Sequence, residues 1–161
     1  MLRRRLHGAH TWVLFLALSV IAATISAPAS TPVRAEVLAT YRVSGDRIVE
    51  PLGGAVGDAA RGRRAVLNRE TGNCLICHQL REPNETFQGT LAPSLDGAGS
   101  RLDAGQLRLR LVDQTLISPA TLMPPYYRVD GLTRVGARFR GKPVLGAQDI
   151  EDVVAYLSTL K

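Results

Sequence analysis

The stretch Cys74-Leu75-Ile76-Cys77-His78 constrains this chain more than any other, because it holds both cysteines of the 161 residues. A two-residue gap between thiols is compatible with a disulfide, a redox-active pair or half of a zinc site. None of these readings uses His78. Zinc needs about four ligands, and the remaining histidines, His7 and His10, lie in an N-terminal stretch with the layout of a leader. A thioredoxin-like site needs a strand before the pair and a helix after it. The preceding "DAARGRRAVLNRETGN" reads instead as helix then turn. Cys-x-x-Cys-His is the attachment signature of a c-type haem. Two thiols add across the two vinyl groups, and the next residue brings its imidazole under the iron. The pattern predicts one covalent haem c, held by Cys74 and Cys77 and ligated by His78.

Arg3, Arg4 and Arg5, the apolar run Trp12–Ile25 and the small residues of "SAPASTPVRAE" have the layout of a secretory signal peptide. Cleavage is expected after Ala35, with Ala29 as the fallback. The apolar run is shorter than the roughly 20 residues of a membrane span, so no span is expected in the mature form. Residues 1–35 carry four arginines and no acid. Removing them takes the chain from 20 cations against 14 acids to 16 against 14, from +6 to +2. The high pI is therefore mostly a property of the leader. The remaining arginines read as spread and interleaved with acids, which argues against a nucleic-acid partner. The 126 residues left make one domain, with four Tyr and two Phe as its aromatic content. That payload is small, and a prosthetic group filling the centre accounts for it.

The second axial ligand follows by elimination. His7, His10 and Met1 leave with the leader, and both thiols are used in thioethers. Met123 is then the one methionine, with Lys142 and Lys161 as the other nitrogen donors. Met123 sits in "SPATLMPPYY". A residue before proline is pushed towards extended geometry, and Pro124-Pro125 stiffens the loop. His78 and Met123 are the predicted iron ligands.

Three helices are legible. The first has Asp58 as N-cap and runs to about Arg69, with Ala59, Gly62 and Val66 on one face. The second has Asp103 as N-cap and Gln106 at N3, a capping-box variant, and runs to about Leu116. In the third, "GAQDIEDVVAYLSTLK", Ile150, Val153, Val154 and Leu157 follow i, i+3, i+4, i+7. Asp149, Glu151 and Asp152 favour its N-terminal dipole end. Gly62 is the expected point of close approach to Tyr156 where the first and last helices cross. Residues 36–57 are read as an N-terminal arm: "TYRVSGDRIVEP" carries hairpin signals, while Gly53, Gly54 and Gly57 point to a pliable segment. "GTLAPSLDGAGSR" is read as a loop, with the Pro93 carbonyl accepting from His78 Nδ1–H and orienting the ring.

Together "GDAARGRRAVLNRETGNCLICH", "APSLDGAGSRLDAGQLRLRLVD", "SPATLMPPYYRVDGL" and "KPVLGAQDIEDVVAYLSTLK" resemble the SoxX family, the mono-haem subunit of the SoxAX cytochrome of thiosulfate oxidation. The resemblance covers roughly residue 50 to the C-terminus. It implies an all-α, class I cytochrome c-like fold over 58–161, a periplasmic address and a stable heterodimer with a SoxA-type cytochrome subunit. That pair acts as an L-cysteine S-thiosulfotransferase. It couples thiosulfate to a cysteine of a SoxYZ-type carrier, while this subunit accepts the electrons and passes them to a downstream acceptor. Two positions depart from the family pattern: Ala92 where Gly is expected, and Gly146 where Thr would cap the last helix.

The residues agree on one point of mechanism. Sulfur transfer needs a nucleophile or a thiolate that holds sulfur. The mature chain has no thiol outside the haem motif, so this subunit is expected to be non-catalytic alone. The alternative is a free soluble periplasmic cytochrome c that shuttles electrons between respiratory enzymes. Such a shuttle docks through a charged ring, and only two lysines are present. A haem-based sensor would need an output domain, which the chain lacks. Leu75, Ile76, Leu122, Pro124, Pro125 and Tyr126 are the expected apolar rim for a permanent partner.

Overall fold

The computed structural model describes residues 38–161; the leader and its cleavage site lie outside them. Helix α1 (Ala59–Leu67) starts where Asp58, in extended geometry, accepts from Arg61 N through its side chain. It ends two residues earlier than expected. Asn68 is extended, and its carboxamide accepts from Glu70 N at 2.7 Å, so the chain prefers an Asx turn to another helical turn. A short helix α2 (Ala98–Arg101) lies within the stretch expected to be a loop. Helix α3 (Ala104–Asp113) begins with the predicted capping box, Asp103 and Gln106 each accepting from the other's N–H. Its α-helical part stops at Asp113, whose carboxylate accepts from Thr115 N and Thr115 Oγ1. Residues Gln114–Leu116 continue as a 3-10 turn. Helix α4 (Ala147–Thr159) closes the chain.

The apolar stripe of α4 is buried at every predicted position: Ile150, Val153, Val154 and Leu157. It packs on α1 more extensively than any other two elements pack together. Gly62 makes this possible. A Cβ there would stand 1.9 Å from the Asp152 carbonyl oxygen and 2.9 Å from Tyr156 Cβ. The expected crossing at Gly62 and Tyr156 is thus present. The same device recurs at Gly99 in α2, where a Cβ would lie 2.4 Å from the Ser158 carbonyl oxygen. Gly99 N donates to the Leu160 carbonyl at 2.9 Å, so α2 is docked on the end of α4. That tertiary contact is why a glycine-rich segment forms a helical turn.

Within residues 38–57 the stretch up to Leu52 is docked on the core. Strands β1 (Val43–Ser44) and β2 (Arg47–Ile48) form the short hairpin. Ile48 and Leu52 beyond it are each 1% exposed. The hairpin is anchored by Arg108 of α3, a buried side chain. Its Nη1 donates to the carbonyls of Ile48 and Val49, while Nε and Nη2 pair with the Glu151 carboxylate at 2.7 and 2.8 Å. Glu151 also accepts from Leu52 N at 2.9 Å. Further along, Ala39 N donates to Tyr127 Oη. A buried ion pair needs its remaining hydrogen-bonding capacity filled, and the backbone of residues 48–52 fills it. The acids at the start of α4 therefore do more than favour the helix dipole. Glu151 pairs with Arg108, and Asp152 accepts from Arg61 Nε at 2.6 Å and Asp58 N at 2.7 Å.

Candidate haem site

Positions 72–78 form a tight turn between α1 and the segment that follows. Asn73 adopts the left-handed conformation at φ 47°, which asparagine tolerates better than most residues. Cys74–Ile76 is a 3-10 turn, and Cys77 N and His78 N both donate to the Cys74 carbonyl. The bond from residue 78 to residue 74 sets Cys74 and His78 one turn apart on a common side, with Cys77 beside them. Leu75 is 1% exposed and anchors the turn in the core.

His78 Nδ1 lies 2.6 Å from the Pro93 carbonyl oxygen, as expected from the sequence. A carbonyl can only accept, so Nδ1 carries a proton, and in the neutral ring Nε2 is the nitrogen with the free lone pair. The segment that brings Pro93 there is laced to the motif. Gly89 N donates to the Leu75 carbonyl, Ala92 N to the Cys77 carbonyl and Leu95 N to the Gln79 carbonyl. Gly89 was not singled out in the sequence, yet a Cβ there would lie 2.0 Å from the Ile76 carbonyl oxygen. Its only sequence signal is a lone glycine in an otherwise polar stretch. Ala92 does not have a positive φ, so alanine in place of glycine brings no backbone strain. At Gly146 the Asp149 carboxylate accepts from the cap N–H, so half of a capping box survives without a threonine.

Met123 lies in the loop that follows α3. Its N–H donates to Thr121 Oγ1 at 3.1 Å. Tyr126 then fixes the loop: its N–H donates to the Leu111 carbonyl, its carbonyl accepts from Val144 N and Leu145 N, and its hydroxyl donates to the Gly72 carbonyl at 2.8 Å. One side chain therefore ties the methionine loop to the residue two before Cys74. This corrects the expectation that Tyr126 lies on the partner-facing rim. Leu75 is likewise buried. Ile76 and Leu122, at 63% and 77% exposure, are exposed together with Pro124 and Leu91, and all four line the same cavity as Met123.

Cys74, Cys77, His78 and Met123 all line one cavity of about 720 Å³, walled mainly by apolar side chains of α1, α3, α4 and the two loops. Protein interiors leave few voids larger than a water molecule, so an apolar space of this size is built for a large apolar ligand. No Asp or Glu lines it, whereas Arg101 and Arg110 do. Among the described residues no group of three or more His, Cys, Asp or Glu side chains converges as ligands of a small metal ion would. Burial pushes the Cys74 thiol up to about 11, unlike the lowered thiols of redox-active Cys-x-x-Cys pairs. The donors thus fit a large planar group held by two sulfurs at one edge, with a nitrogen and a thioether sulfur available to a central iron.

No protein-family model and no curated protein matches the chain. Among solved structures, a chain of the crystal structure of SoxXA from P. pantotrophus is similar, with 41% sequence identity and a TM-score of 0.70. The match covers 75% of this chain and 94% of that one. The architecture is the expected all-α, class I cytochrome c-like fold. Identity at this level over nearly the whole of the other chain shows the family: this chain belongs to the SoxX family, the electron-transfer cytochrome subunits of thiosulfate oxidation.

Proposed function

We propose that this chain is exported to the periplasm, loses its leader near Ala35, and carries one haem c attached at Cys74 and Cys77 with His78 and Met123 as axial ligands. It serves as the electron-accepting subunit of a SoxXA-type heterodimer. The observation that carries the reading is the meeting of all four side chains on the wall of one apolar cavity, with the His78 ring already oriented by Pro93. When bound, the haem supplies a one-electron carrier. The chain's residues hold it, exclude water and set its ligands. The Pro93 carbonyl strengthens the imidazole as a donor, and Met/His ligation places the potential above that of bis-nitrogen ligation. His78 and Met123 would both be engaged in holding the haem. Substrate chemistry on sulfur belongs to the SoxA-type partner and the SoxYZ-type carrier, and a free shuttle is the less favoured reading. The exposed Ile76, Leu91 and Leu122 suit a lasting contact.

The test is purification of the native protein followed by denaturing electrophoresis. Haem staining should stay with this chain after denaturation, at one haem per chain by pyridine haemochrome. The native form should elute with a larger haem protein. The oxidised spectrum should show the weak near-infrared sulfur-to-iron band, and Met123→Ala should abolish it. Haem lost on denaturation refutes covalent attachment, and a band that persists in Met123→Ala refutes that ligand.

A further inference from the structure

Charge in this molecule is not evenly spread. Residues 38–161 carry 16 cations against 13 acids, a net +3. The single segment 128–142, RVDGLTRVGARFRGK, carries five cations against one acid, a net +4. Everything else described sums to −1, so the net positive charge is carried by this segment. Its first arginine is taken inward, where Arg128 Nη1 pairs with the buried Asp113 at 2.8 Å. Arg138 pairs with exposed Glu70 at 3.2 Å. Arg134, Arg140 and Lys142 are exposed and, among the described residues, have no carboxylate within ion-pair distance.

The segment touches the haem cavity through Phe139, and Val144 lines that cavity as well. Arg138 lies over the Phe139 ring, 4.7 Å from its centroid, and reaches Glu70, four residues ahead of Cys74. The turn that presents these cations is held by Phe139 N and Lys142 N, which donate to the Gly136 and Phe139 carbonyls. The segment's own acid is Asp130, and Glu70 is taken by Arg138. A one-sign patch beside an apolar cleft focuses the field and steers an oppositely charged partner, raising association rates by roughly 10–10³.

We infer that segment 134–142 is a docking face for an acidic redox protein that exchanges single electrons with this subunit beside Phe139. It differs in chemistry from the apolar rim of Ile76, Leu91 and Leu122. The inference rests on the electron-transfer reading above.

The test uses the reduced holoprotein, alone and in its purified complex, in stopped flow. One electron passes from the reduced protein to hexacyanoferrate(III), giving hexacyanoferrate(II). Tris(phenanthroline)cobalt(III) is the cationic control. The variant is Arg134→Asn, Arg140→Gln and Lys142→Gln together. Asparagine is chosen because residue 134 has φ 57°, which it tolerates. The hexacyanoferrate rate should fall by about tenfold between low and high ionic strength. The variant should lose most of that dependence with its visible spectrum and potential unchanged. Poly-glutamate should slow the native protein and spare the variant. The cobalt complex should show the opposite trend with salt.

Equal salt dependence in native and variant protein overturns the inference, as does a native protein indifferent to poly-glutamate, a result that needs no variant to fold. Loss of the dependence in the complex overturns it too, because the partner subunit would then cover this face. Absence of covalent haem would sink the electron-transfer reading. A protein that titrates as a cytochrome but ignores the charge of its oxidant sinks the docking face alone.

Discussion

Gly62→Ala should destabilise the protein, although it improves helix propensity. On an exposed helix the change would gain about 1 kcal/mol. Here the new methyl carbon would stand 1.9 Å from the Asp152 carbonyl oxygen and 2.5 Å from its carbon, where ordinary contact begins at 3.4 Å. The obstacle is α4 backbone, which cannot rotate away as a side chain would. The helices must separate locally by 1.5 Å, the difference between those two distances. Overfilling a packed interface costs about 1–3 kcal/mol. The same separation stretches the bonds from Arg61 Nε and Asp58 N to the Asp152 carboxylate, now 2.6 and 2.7 Å, towards 4 Å, beyond hydrogen-bonding distance. Hydrogen bonds to a charged group contribute about 1.5–3 kcal/mol, discounted here because Arg61 is half exposed. After subtracting the propensity gain, the net loss is about 2–4 kcal/mol. Guanidinium unfolding of the holoprotein, followed by far-ultraviolet circular dichroism, measures it. Gly136→Ala is the control: its φ is −58° and the nearest atom is Phe139 Cδ2 at 4.0 Å. It should be neutral or stabilising by up to about 1 kcal/mol. A Gly62→Ala protein as stable as the parent would refute the close-approach argument.

Arg108→Met should cost about 3–5 kcal/mol, because it leaves Glu151 charged, buried and unpaired. Limited proteolysis should then cut within residues 38–57 first, since the carbonyls of Ile48 and Val49 lose their donor; protection of that segment in the variant would contradict its anchoring role. Acid should destabilise the fold through two carboxylates. Glu82 is held below its ordinary 4.5, chiefly by its bond from Arg63 and then against its own burial. For Asp152, ordinary value 3.8, burial opposes ionisation, but Arg61, the Asp58 N–H and Gln148 outweigh it and hold the carboxyl lower. Groups with lowered folded values stabilise fully above their unfolded values, and that contribution disappears as pH falls through the lowered ones. Stability should therefore be flat from these two groups above about pH 5 and decline below about pH 4.5. Asp152→Asn or Glu82→Gln should flatten the acid limb of a denaturation-midpoint profile, and an unchanged limb would refute the assignment.

Local chemistry was legible from the residues in order. Asp58 and Asp103 cap helices because a side-chain acceptor three residues ahead of a free N–H is a local event. The α4 stripe follows from a period of 3.6. Cys74, Cys77 and His78 act within one turn, and His78 could be paired with Pro93 because fifteen residues of loop return to the motif. Gly62 against Tyr156 was also readable, since a helix glycine facing an aromatic leaves one sensible crossing.

What tertiary structure decided lies at longer range. By sequence the acids of α4 suit its dipole, yet two of them are buried partners of Arg108 and Arg61, 43 and 91 residues away in the chain. Nothing periodic connects such positions. The glycines of residues 53–57 suggest pliability, but buried Ile48 and Leu52 and the Arg108 anchor fix the chain just before them, and Gly57 lies directly against the Glu151 carbonyl. Gly89 and Gly99 looked like loop residues until the backbone they approach was in place. Tyr126 looked like a docking residue because tyrosine beside two prolines is as easily outside as inside. Only the position of the Gly72 carbonyl, 54 residues away, turns it inward. Sequence determines what one turn can do with its own donors, acceptors and side-chain period; which distant group fills a buried valence is settled only when the helices have packed and water has left.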